Sequence, residues 1–116
     1  MIRIALLVVC AAVLAACSVH DARTLGSAVE GVATSIRQLQ RAAPQSRVVL
    51  QGRIVQKCPV AGCWFLLHDQ TGSIKVDTKN AGFVVLDVPL NSTVTIAGRV
   101  VSNGSEQQID AVGLRY

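Results

Sequence analysis

The chain has 116 residues, which is the length of one domain, and its Lys and Arg outnumber Asp and Glu by only four. A composition that is 51% hydrophobic excludes a disordered acidic or basic tail. The small positive excess also lacks the dense Lys/Arg patterning of a strong nucleic-acid binder.

Met1 to Cys17 reads as an address. Arg3 supplies a short positive start, and Ile4 to Leu14 is an uninterrupted apolar run. A membrane-spanning helix needs about 20 apolar residues, so this run is too short to span but suits the core of an export signal. It ends in Leu14-Ala15-Ala16-Cys17, which resembles the lipobox of bacterial lipoproteins. The resemblance implies a leader over 1–16 that is cleaved before Cys17, and lipid on Cys17. Ser18, in place of Asp, resembles the pattern that sorts lipoproteins to the outer membrane. The implied location is the cell envelope, with the domain anchored to the membrane and facing the periplasm. Several acyl chains on one Cys hold stably where a single chain does not.

Residues 17–46 form the second segment. Ser18 to Gly26 is small and polar, as a tether is. Ser27 and Glu30 have the spacing of a capping box. Val29, Val32, Ile36 and Leu39 then recur every three or four residues, so the pattern predicts an amphipathic helix over 28–42 that ends before Pro44. Packing on the domain is its expected fate, with the membrane or a partner as alternatives.

From Arg47 the period becomes two, and residues 47–116 make up the domain. Strands are predicted from Arg47 to about Gln56, Cys63 to Asp69, Ser73 to Thr78, Thr93 to Val101 and Gln107 to Leu114. Gln70-Thr71-Gly72 and Ser102-Asn103-Gly104 are turns. Gly52 and Gly98 fall inside strands, where a small barrel must bend. Three strands, an irregular connection containing Pro89, and a hairpin of two more follow the order of an OB-fold. The expected fold is therefore mainly β: a five-stranded OB-like barrel preceded by one helix.

The run Gly52-x-Ile54-Val55 leading to Cys58, then Gly62-Cys63-Trp64, Ala81-Gly82-Phe83 and Gly98-Arg99-Val100, resembles a family of small exported bacterial proteins. These carry an OB-like domain with a Cys ahead of a Gly-Cys-Trp motif. Phe65 stands where a Met-like residue is expected. The resemblance implies the fold and an envelope location, and no reaction.

Cys10 departs with the leader and Cys17 carries lipid, so Cys58 and Cys63 remain as a pair. The simplest reading is a disulfide across the first turn, permitted in an oxidising compartment. A loop this short contributes only about 2 kcal/mol in the chain-entropy model. The second reading is a copper or zinc site of Cys58, Cys63 and His68. Against it, Cys63 and His68 lie an odd number apart and face opposite sides of a regular strand. The third is redox chemistry, weakened because no helix begins after Cys58 to lower its pKa.

Trp64, Leu66 and His68 share one strand face, and Phe65 and Leu67 the other, so one set is core. Trp64, the only Trp, either lines a binding surface or packs inside beside the cysteines, and packing is the commoner fate and the expectation. Arg53, Lys75 and Arg99 have outward phase, and Arg53 with Arg99 are expected to form a small basic patch on adjoining strands. With Trp64 they make up the candidate ligand surface. No catalytic motif is present. The expectation is a non-catalytic binding or interaction module without a cofactor, whose partner is an envelope protein, a glycan or another anion. The alternatives are a metal-handling protein and a nucleic-acid-binding OB domain.

Overall fold

The structure is a computed structural model and describes residues 23–116. The leader, its lipobox and Cys17 lie outside the described residues. Six strands form: β1 (Thr24–Gly26), β2 (Arg47–Lys57), β3 (Trp64–Asp69), β4 (Gly72–Asp77), β5 (Thr93–Asn103) and β6 (Glu106–Arg115). Antiparallel pairs β2–β3, β3–β4, β2–β5 and β5–β6, with the parallel pair β4–β6, close a five-stranded barrel. This is the OB arrangement expected from the strand order.

Alternation decides which side chains fill it. Leu50 and Ile54 of β2, Phe65 and Leu67 of β3, Ile74 and Val76 of β4, Val94, Ile96 and Val100 of β5, and Ile109, Ala111 and Leu114 of β6 are all buried. The register of β2 against β3 slips between Ile54 and Gln56, so Val55 is an extra residue, and a bulge of this kind lets β2 curve from one strand pair to the next. Gly52 and Gly98 serve the same closure. A Cβ at Gly52 would lie 2.5 Å from the His68 carbonyl oxygen, and one at Gly98 would lie 2.6 Å from that of Asp110. Only a residue without Cβ lets the strands approach this closely.

The N-terminal segment departs from expectation in two ways. Part of the tether is a strand: β1 pairs antiparallel with Gly113–Arg115 of β6, and Arg23 and Tyr116 exchange backbone hydrogen bonds. The helix over 28–42 is reduced to one 3-10 helix over Ile36–Arg41. Gly31 takes φ +111, outside the helical region, and Thr34 N–H donates to Val49 O of β2 instead of continuing a helix. The capping box is at Ser35 and Gln38, not Ser27 and Glu30: Ser35 Oγ accepts from Gln38 N–H, and Gln38 Oε1 accepts from Ser35 N–H at 3.2 Å. Of the apolar stripe, Ile36 and Leu39 are buried in the core, while Val32 is 93% exposed. The short helix does pack on the domain, across the β3–β4 turn. At the other end of β3, the β4–β5 connection buries Val85 and Val88.

Candidate functional site

The β2–β3 loop is held by the backbone at both ends. Cys58 N–H donates to Trp64 O at 3.0 Å, Gly62 N–H to Cys58 O at 3.2 Å, and Thr78 N–H to Cys63 O at 2.8 Å. Gly62, at φ +59, turns the chain, and its carbonyl accepts from Val85 N–H of the β4–β5 connection at 2.9 Å. Both cysteines are half-buried. The N–H groups of Ala61 and Val60 lie by the Cys58 sulfur and favour its thiolate. Desolvation opposes them, and the Cys63 thiol and Gly62 N–H add to them. Together these lower Cys58 from 9.0 to about 7. The loop backbone thus supplies what a helix N-terminus would have supplied.

Of the sequence-predicted surface, Arg53, Trp64 and Lys75 lie with His68 on the outer face of β2, β3 and β4. Cross-strand pairs place Arg53 opposite His68, His68 opposite Ser73, Leu66 opposite Lys75 and Trp64 opposite Asp77. Phe65 and Leu67 take the core, so Trp64 is on the outer face, half-buried, contrary to the expectation that it packs inside. Lys75 Nζ sits 5.2 Å from the centre of the indole ring, a cation–π contact. His68 Nδ1 lies 2.8 Å from Ser73 Oγ.

At the His68 end this face opens into a cavity of about 680 Å³, lined among others by Gln51, Arg53, His68, Gln70 and Thr93. Asp69 is also in its lining and is a structural hub. Its carboxylate accepts from Ile36 N–H at 2.8 Å, Thr71 N–H at 2.7 Å, Thr71 Oγ1 at 2.6 Å and Gly72 N–H at 3.1 Å. Burial works to raise this carboxyl, but the Thr71 hydroxyl and the three N–H groups outweigh it and hold it below its ordinary value.

Two expected groupings do not form. Arg99 pairs with Arg47 on β2, six residues along from Arg53, which faces Thr93. At about 3.3 Å per residue the two arginines stand roughly 20 Å apart, so there is no Arg53–Arg99 patch. His68 is at the far end of β3 from Cys63, and among the described residues no three His, Cys, Asp or Glu side chains gather as a metal site would need.

One residue escaped sequence reasoning. Lys57 Nζ donates to the carbonyls of Val85 at 3.4 Å, Leu86 at 3.1 Å and Val88 at 2.6 Å, clamping the β4–β5 connection beside the cysteine loop. A Lys that ends a strand ahead of a Cys carries no sequence mark of that role.

No curated protein matches the chain. Among solved structures it is similar to the hypothetical protein ygiW from E. coli, at 24% identity and a TM-score of 0.55, over 70% of this chain and 85% of that one. At that identity the likeness is one of fold. The model of the bacterial OB fold (BOF) protein family matches residues 14–115, the whole barrel with β1 and the helix included, and the chain belongs to that family.

Proposed function

We propose that this protein is a lipid-anchored, non-catalytic binding module of the bacterial envelope, and that it takes an extended anionic ligand, an acidic glycan, along the outer face of β2–β4. One observation carries the reading: Arg53, His68, Lys75 and Trp64 share that face, with a polar cavity at one end and an indole at the other. From His68 to Trp64 the face runs about 13 Å along β3, longer than a single small anion needs. Arg53 and Lys75 supply charge, the cavity supplies hydrogen-bonding groups, and the indole supplies an apolar platform when Lys75 swings aside. OB barrels bind oligosaccharides and oligonucleotides on this part of the fold. A single aromatic platform suits a sugar chain better than single-stranded nucleic acid, which uses successive stacked bases. The anchor at Cys17 would hold the module at the membrane, where such glycans occur.

The protein's sole Trp lies on the proposed face, so its fluorescence reports on ligand directly. Titration with acidic oligosaccharides at low salt is expected to change Trp64 emission saturably. The change should weaken with salt and be lost in Arg53→Glu and Lys75→Glu. Unchanged affinity in both variants, or no saturable response to acidic oligosaccharides, overturns the reading.

A further inference from the structure

We propose that Cys58 and Cys63 form an exchangeable dithiol–disulfide pair that oxidises a dithiol carried on an apolar segment of a partner protein. The geometry of the loop supports this over a fixed clasp. Backbone hydrogen bonds from Cys58 to Trp64, Gly62 to Cys58, Thr78 to Cys63 and Val85 to Gly62 complete the loop and hold the two cysteines at its ends. The bonds that define this turn are backbone ones and involve neither sulfur. The N–H groups of Ala61, Val60 and Gly62 and the thiol of Cys63 surround the Cys58 sulfur and stabilise its anion. Stabilising the reduced form makes the oxidised form a better electron acceptor, and a stabilised thiolate is also a better leaving group.

The steps balance. A partner thiolate attacks Cys58 Sγ of the oxidised pair, the Cys58–Cys63 bond breaks, and Cys63 leaves as a thiolate that takes a proton. The partner's second thiolate then attacks its own sulfur in the mixed disulfide and expels the Cys58 thiolate. Two electrons pass to the pair, and the partner's dithiol becomes a disulfide. Exchange with a second disulfide, the same steps reversed, restores the oxidised pair.

The surroundings select the partner. Val60, inside the loop, is 87% exposed, and Leu86, which packs against Gly62, is 50% exposed. An apolar rim beside a reactive sulfur favours an apolar polypeptide segment over a small polar thiol. The charged groups on the elements packed here are Lys57, Asp77, Lys79 and Asp87. Lys57 is held by three carbonyls, and Asp77 accepts from Lys79 N–H at 2.8 Å.

The test uses the full-length protein, read by the mass of the peptide spanning Cys58 and Cys63 so that Cys10 and Cys17 do not contribute. Excess reduced glutathione is expected to reduce the pair completely without unfolding the barrel. In Cys63→Ser, Cys58 is expected to attack oxidised glutathione, keep one glutathionyl group as a mixed disulfide and release the other as reduced glutathione, and alkylation of Cys58 should inflect at about pH 7. A thiol of that pKa is more ionised at pH 7 than one of 9.0 but intrinsically less nucleophilic, for a net gain of roughly sixfold in rate. Leu86→Gln, a neutral change on the rim, should slow exchange with a dithiol peptide flanked by Leu and Val while leaving glutathione exchange unchanged. A pair that stays oxidised in excess glutathione, or a Cys58 that alkylates like an ordinary thiol, overturns the proposal. Equal Leu86→Gln effects on both probes would overturn the apolar-partner part.

Discussion

Asp69 ties the N-terminal segment to the barrel, and removing its carboxylate tests whether that tie stabilises the fold. Four donors converge on it, two of which, Ile36 N–H and Gly72 N–H, lie in partly buried contacts. The Thr71 groups are exposed and recover water when the carboxylate is lost, so they count for little. Hydrogen bonds to a charged acceptor contribute about 1.5–3 kcal/mol each, and two of them place the cost of Asp69→Ala at about 3 kcal/mol. For a domain of this size each kcal/mol moves Tm by about 4–8 °C, giving a fall of roughly 15 °C. Asp69→Asn keeps the shape and one acceptor oxygen but not the charge, and should cost about 1 kcal/mol. The folded-state carboxyl lies below its ordinary value of 3.8. Its contribution is thus complete above that value and disappears as pH falls through the lower folded value. Urea unfolding followed by Trp64 fluorescence, from neutral pH into the acid range, should show wild type and Asp69→Asn converging in acid. If Asp69→Ala stays within 0.5 kcal/mol of wild type, or if the gap to Asp69→Asn does not narrow in acid, the carboxylate hub does not hold the helix to the barrel.

Gly52→Ala places a methyl 2.5 Å from the His68 carbonyl oxygen, and calorimetry should register a loss of about 1–3 kcal/mol as β2 and β3 are forced apart. Lys57→Met keeps the apolar stem but removes the donors to Val85, Leu86 and Val88, so amide hydrogen exchange in residues 79–92 should rise well before global stability falls. Val32→Asp should leave Tm unchanged to within about 0.5 kcal/mol of stability, because the side chain is 93% exposed, whereas a helix packed through Val29, Val32 and Ile36 would be damaged by it.

The strand order, the alternation of β2, β4 and β5 and the hairpin at Gly104 were legible in the sequence, because alternation with a period of two is a local property that burial on one face imposes. The need for Gly52 and Gly98 could be seen as a bend, but the carbonyls they make room for belong to strands distant in the chain. Trp64 and Phe65 illustrate the limit. Alternation says that they part company, and only the closure of β3 between β2 and β4 decides that Phe65 goes inside and Trp64 meets Lys75. The helix pattern over 28–42 was real as periodicity but was overridden. Ile36 and Leu39 find the barrel within one short turn, and the chain before them gains more from hydrogen bonds to β2 and β6 than from helical ones. The surroundings of Cys58 were likewise invisible: the sequence showed no helix start, and the N–H groups that favour its thiolate converge only when the loop folds. By itself, then, the sequence determined the architecture, through apolar periodicity and turn residues that act over a few neighbours. The tertiary structure decided the outer face and the environment of each polar group, because those depend on which strands meet across the barrel.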